Sequence, residues 1–171
     1  MLTAVLLAPL AVLVGQVLAR DDLAVVPAAT VVGVLAAVVQ FLGLARWAFL
    51  VPALSRAHAD LASSQTTRDA TTVVFESFHR YLGIGIGECL GYLITGTWTM
   101  LVGAAMLQSS TFSAWFAWPG IIIGLLLIVG SLEFVGRFEE QGWKAASAII
   151  PITYIAWSLW LILSGRVLLA G

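Results

Sequence analysis

Residues Phe78 to Leu107 read FHRYLGIGIGECLGYLITGTWTMLVGAAML. The stretch is apolar for longer than the ~20 residues an α-helix needs to cross a bilayer at ~1.5 Å per residue. Two patterns run through it. Gly83, Gly87 and Gly91 recur every four residues and are continued by Thr95, Thr99 and Gly103, so one ridge is almost bare of side chain. Such a ridge lets a second helix approach closely where lipid offers no hydrophobic drive for association. At ~100° per residue, Tyr81, Glu88, Tyr92, Thr95 and Thr99 fall together on a polar face. A carboxyl placed inside a membrane helix is costly and needs a partner, which makes Glu88 the leading functional candidate.

The rest of the chain fits this environment. Its 171 residues are 61% hydrophobic and 10% charged, with a mean hydropathy of +1.03. A soluble domain carries about a quarter charged residues, so most of this surface faces something other than water. We expect an integral membrane protein folded as one domain over 1–171. The formal net charge of −1 leaves no basic field to recruit nucleic acid. The single cysteine, Cys89, has no internal disulfide partner. Met1 to Ala19 lacks the basic n-region of a signal peptide and is read as a retained span.

Working outward, five spans are expected. The first runs from Leu2 to Leu18, contains Pro9, and stops at the charged turn Ala19 to Asp22. The second hydrophobic stretch, Leu23 to Leu54, exceeds one perpendicular span, and Arg46, Trp47 and Pro52 mark its exit, with the hydrocarbon portion ending near Leu44. Ser55 to Thr72 is polar and read as a solvated link with an interfacial turn. Thr66 and Asp69 have capping-box-like spacing for a helix that starts near Thr67 and continues into the central span. Trp115, Phe116 and Trp118 form an aromatic belt at the opposite surface. The fourth span is placed at Pro119 to Val135 and holds Glu133; the fifth runs from Ala145 to Leu169.

Arg46, Arg56, Arg68, Arg80, Arg137 and Lys144 fall on links two-to-three and four-to-five, with Arg20 and Arg166 the exceptions. By the positive-inside rule that side is cytoplasmic, which gives an inside amino terminus and an outside carboxyl terminus. The same path sets Arg46, His79, Glu88, Glu133 and Arg137 at one membrane depth. Glu133 and Arg137 are spaced to pair along their own helix, which leaves Arg46, His79 and the Gln40 amide to hold Glu88. In one reading these charges only specify packing. In the other, Glu88, Glu133 and His79 are candidate catalytic groups in a polar pocket, with Arg46, Tyr81 and Tyr92 beside them. Trp98, Trp157 and Trp160 lie near mid-span, where they either line a cavity for a flat or isoprenoid-like molecule or fill space against the glycine ridge.

No second histidine or thiolate stands at metal-ligand spacing to His58 or His79, so no metal and no cofactor are expected. Gly83 to Gly87 lacks GxGxxG spacing, and no serine sits in a GxSxG elbow.

LARW at Leu44 to Trp47, VPAL at Val51 to Leu54, and VFESFHRYLGIGIGECLGYL at Val74 to Leu93 followed by TGTWT carry a resemblance. They are similar to a bacterial family of small multi-pass membrane proteins, the group around domain of unknown function 4386, in which a segment HRYLGxxxGExLGY recurs. The likeness covers the second through fifth spans. Relatives carry a histidine after the glutamate where this chain has Cys89, which argues against metal or haem there. The resemblance implies an all-helical bundle in the bacterial cytoplasmic membrane and supplies no activity. The expected role is to bind membrane lipid, a lipophilic small molecule or a partner helix, in a regulatory or structural capacity, with homo-oligomers open. The alternative is a small membrane-embedded enzyme of isoprenoid cyclase or isomerase type with Glu88 as general acid. A transporter ranks third, since five spans show no inverted repeat.

Overall fold

In the computed structural model, residues 1–170 are described, with side chains described through Val167. Seven α-helices and no strand occur among the described residues. The first, α1 (Leu2–Leu18), ends in a 3₁₀ turn at Ala19–Asp21. Asp22 closes it with φ of 52°, a left-handed conformation that aspartate accepts better than bulkier side chains.

The long apolar stretch from Leu23 to Leu54 is not one helix. It divides into α2 (Val26–Phe49) and α3 (Val51–Ala59), with the break at Leu50. Pro52 is the physical cause: it has no N–H for an i→i−4 bond, so it is accommodated in the first turn of a new helix. The polar segment that follows is also helical. Ser64, rather than Thr66, caps α4 (Gln65–Phe78) by accepting the Thr67 N–H at 3.2 Å. Asp69 instead accepts from Gln65 Nε2 at 2.7 Å. The expected solvated link is therefore a hairpin of α3 and α4.

From α4 the chain continues through a π-helical segment, His79–Leu90, into α5 (Gly91–Gln108). The unbroken helical run from Gln65 covers 44 residues, about twice the ~30 Å hydrocarbon thickness. Its polar first part therefore extends beyond an apolar core. The fourth apolar helix, α6, spans Ala114–Gly130 rather than Pro119 to Val135. Pro119 lies inside it, and the helix stops where Ser131 turns its hydroxyl back to donate to Ile128 O at 2.7 Å. A turn follows, bracketed by the positive-φ glycines Gly136 and Gly142, and leads to α7 (Lys144–Ala170). Leu2–Asp21, Val26–Ala59, Gln65–Gln108 and Lys144–Val167 are long and apolar enough to cross a membrane; Ala114–Gly130 is apolar and shorter. The expected helical bundle of about five spans is what the chain forms.

The central position expected for Phe78 to Leu107 holds. Trp98, Thr95, Thr99, Val102, Ala105 and Met106 are buried, and α5 packs against both α2 and α6. The α5 and α6 backbones meet at Gly96 and Gly124, where a Cβ on either would lie 2.6 Å from the other's carbonyl oxygen. Neither belongs to the expected ridge. Gly83, Gly87 and Gly91 face α2 instead, and a Cβ on Gly43 of α2 would lie 2.6 Å from the Gly87 Cα. A thread of side-chain bonds runs through the apolar interior. Gln40 Nε2 donates to Thr95 Oγ1 at 2.8 Å, and Trp157 Nε1 to Thr99 Oγ1 at 2.9 Å. Each satisfies groups that cost free energy when buried alone.

The two ends of the bundle are tied separately. At one, the Asp21 carboxylate accepts from Ser109 Oγ at 2.6 Å and Ser110 Oγ at 2.9 Å, joining the α1 turn to the link between α5 and α6. At the other, Arg80 pairs with Glu139, and the Trp143 N–H donates to Glu133 O at 2.7 Å across the last turn.

Gly124→Leu should force α5 and α6 apart and destabilise the bundle by about 1–3 kcal/mol. Gly165→Ala, at a position where a Cβ meets no described atom within 4 Å, serves as the near-neutral comparison in thermal unfolding. The Ser109 and then the Ser110 hydrogen bonds hold the Asp21 carboxyl below its ordinary value. Their stabilisation is present above the unfolded carboxylate range, near pH ~4, and is lost as pH falls through the lower folded value. The midpoint difference between the natural chain and Asp21→Asn should be steady at neutral pH and close on acidification below that range.

Candidate functional site

The site is built from a buried arginine outward. Arg46 lies near the end of α2 and is only 9% exposed. Three neighbouring glycines make room for it. A Cβ on Gly83 would lie 2.6 to 2.8 Å from Nη1, Cζ and Nη2, so the guanidinium is pressed against the helix backbone itself. Gly87 would bring its Cβ to 3.7 Å from Nη1, and Gly43 lets the two backbones meet. Nη1 donates to Gly43 O at 3.1 Å, and Cζ sits 5.3 Å from the Trp47 ring centroid. Among the described residues Nε has no hydrogen-bond partner and Nη2 donates to no acceptor.

This seat forms one wall of a cavity of about 300 Å³. Gln40, Leu44 and Arg46 of α2, Gly83, Gly87 and Glu88 of the π segment, Tyr92 of α5 and Tyr154 of α7 line it. Glu88 is half-buried, and Arg46 and Glu133 are the charged groups that act on it electrostatically. Arg46 and Glu88 form no direct ion pair; among the described residues the one side-chain pair within 4.0 Å is Arg80 with Glu139. The cavity thus exposes a cation and an anion to a shared space. Tyr92 and Tyr154 meet edge-on with centroids 5.5 Å apart, closing its inner side.

Of the residues expected to meet, Arg46, Gln40, Glu88 and Tyr92 do, and Gly83 and Gly87 of the expected packing ridge line the same cavity. Gln40 is engaged by Thr95 rather than by Glu88. Gly91 is buried on the α2 side, 4.0 Å from Gln40 Cγ when extended by a Cβ. Tyr81 does not join them: it is 65% exposed. The reason is the π segment, whose i→i+5 pairing turns the chain by less than the ~100° per residue of an α-helix. Seven such steps carry Tyr81 off the Glu88 face.

His79 is half-buried and stacked on Phe75, with centroids 5.8 Å apart, and does not line the cavity. Glu133 stands in the turn after α6, not within a helix, and it does not pair with Arg137. The helix needed for their i to i+4 spacing ends at Gly130, and Arg137 lies over the Phe138 ring at 4.8 Å. Nor do the three tryptophans share the Glu88 cavity. Trp98 and Trp160 border a separate apolar cavity of about 40 Å³. Trp160 Nε1 donates to Phe116 O at 2.8 Å, Trp157 is held by Thr99, and Trp98 is packed against Gly33. They fill space in the core. Tyr154 and Gly43 escaped sequence reasoning; Tyr154 is separated from the others by the whole of α6, and Gly43 belongs to no repeat.

Gly83→Ala should displace the guanidinium and destabilise the protein by about 1–3 kcal/mol. In the Arg46→Met background the same change should cost markedly less, because the atoms it strikes are gone. A double-mutant cycle by thermal unfolding in detergent reads that coupling.

No curated protein and no solved structure matches the chain. The sequence profile of DUF4386, a domain of unknown function, matches residues 1–165 and so takes in the first helix as well as the segment around His79 to Tyr92. A polytopic helical chain that matches over nearly its whole length belongs to the DUF4386 family.

Proposed function

We propose that this protein is a multi-pass component of the bacterial cytoplasmic membrane that holds the polar end of a lipophilic small molecule in the cavity between α2, the π segment and α7. Its role in this reading is regulatory or structural, without turnover. The observation that carries it is the shared cavity of Arg46 and Glu88, two opposite charges near an apolar interior that do not neutralise one another directly. Charged groups inside a membrane bundle are retained at a cost and mark sites of interaction. The lining combines those charges with Leu44 and the two tyrosine rings, the mixture of apolar wall and few polar groups that small-molecule sites use.

Arg46, Arg56, Arg68, Arg80, Arg137 and Lys144 support an orientation with the α3 and α4 hairpin and the turn after α6 on the cytoplasmic side, amino terminus inside. The cavity then lies in the inner half of the bilayer. Glu133 within electrostatic range of Glu88 supports one second reading, an enzyme of isomerase or cyclase type with Glu88 as general acid. His79 takes no part in it, being outside the cavity.

Leu44→Trp fills the cavity without altering a charge. Native mass spectrometry of the detergent-purified protein should show co-purifying lipid on the natural chain and roughly tenfold less on the variant. Equal occupancy of the two would overturn the amphiphile reading.

A further inference from the structure

The chemistry of the headgroup follows from how the two charges are placed. Arg46 is held by Gly43 O and by contact with Gly83, so it cannot swing to Glu88 without leaving a seat shaped by three missing side chains. Its Nη2 still has donors to give. Glu88 stands in the same cavity and, among the described residues, has no ion-pair partner, and Glu133 adds a second negative charge that acts on it. A purely anionic ligand would pair with Arg46 and meet repulsion from both carboxylates. A purely cationic one would pair with Glu88 and leave a buried guanidinium uncompensated, which is costly. A headgroup carrying both an acid and an amine a few atoms apart satisfies the two at once. The space suffices: about 300 Å³ is room for roughly ten water-sized groups at ~30 Å³ each.

We infer that the cavity recognises a zwitterionic headgroup, a phosphate on Arg46 joined by a short linker to a primary amine on Glu88, an assignment that rests on the amphiphile reading above. Aminophospholipid and free phosphoethanolamine present this same chemistry. The cavity walls come from α2, the π segment, α5 and α7, and Leu44 gives the acyl side of a lipid an apolar edge.

The test uses the full chain in detergent with three probes: dioleoyl phosphatidylethanolamine, dioleoyl phosphatidylglycerol and O-phosphoethanolamine. Native mass spectrometry is expected to show the ethanolamine lipid retained roughly tenfold over the glycerol lipid. Glu88→Gln, close in shape and removing only the charge, should abolish that preference while keeping the protein folded. Displacement of the lipid by millimolar O-phosphoethanolamine would assign recognition to the headgroup alone; failure to displace would assign it to the intact lipid, and the zwitterion inference holds either way. Equal retention of both lipids by the natural chain, or an unchanged preference in Glu88→Gln, would overturn it. If both lipids are retained equally and Leu44→Trp expels both, only the headgroup inference falls. If Leu44→Trp changes nothing, the amphiphile reading falls with it.

Discussion

A guanidinium cannot be dissolved in the interior of a helical bundle without acceptors and room, and the seating of Arg46 is the constraint around which this chain is arranged. The chain meets it by removing side chains. Gly43 and Gly87 bring α2 and the π segment into backbone contact, and Gly83 leaves the space that the guanidinium fills beside that junction. A methyl group at Gly83 would occupy the same space as three guanidinium atoms. The glycine ridge is therefore more than a docking surface for a generic helix: its α2-facing part is the negative image of one arginine.

The π segment extends the same logic. Widened i→i+5 pairing is usually confined to single turns and is frequent at functional sites; here it covers His79–Leu90 and includes both Gly83 and Glu88. It changes which side chains share a face. Glu88 is brought to the α2 side beside Arg46, while Tyr81 is turned outward. Regular α-helix resumes at Gly91, and from there the interior is held by apolar packing and by the bonds of Gln40 to Thr95 and Trp157 to Thr99. The polar cavity lining and the structural packing thus occupy successive lengths of one continuous helix.

Much of this was legible in the residues, and the failures have definite causes. The spans, the charged turn after α1, the passage of α4 into the central helix, and the meeting of Arg46, Glu88 and Tyr92 follow from hydropathy and from matching depth in an up-and-down path. Angular position within the π segment does not follow, because ~100° per residue is the wrong rotation there, and Tyr81 was misplaced for that reason. The end of α6 lies earlier than hydropathy implies because the apolar run continues through Leu132, Phe134 and Val135 after the helix has stopped. Glu133 accordingly moved from a helix face into a turn. Gly96 and Gly124 were missed because close approach at a single pair leaves no repeat to read.

The separation of Arg46 from Glu88 bears most directly on function. Had evolution of the bundle required only neutrality, the simplest arrangement would be a direct pair, which closes the site and leaves nothing for a ligand. Here the arginine is anchored to its own helix through Gly43 O and to the backbone of the neighbouring segment, so the carboxylate opposite remains a distinct partner across a cavity. Such a geometry is neutralised most completely by a molecule that spans it. In the proposed reading, the tyrosine pair and Leu44 that line the same cavity favour a molecule with a compact charged end and an apolar continuation. Burial of the arginine and the bare glycines around it then leave its charge unpaired with the Glu88 carboxylate of the same cavity, the arrangement on which the proposed recognition rests.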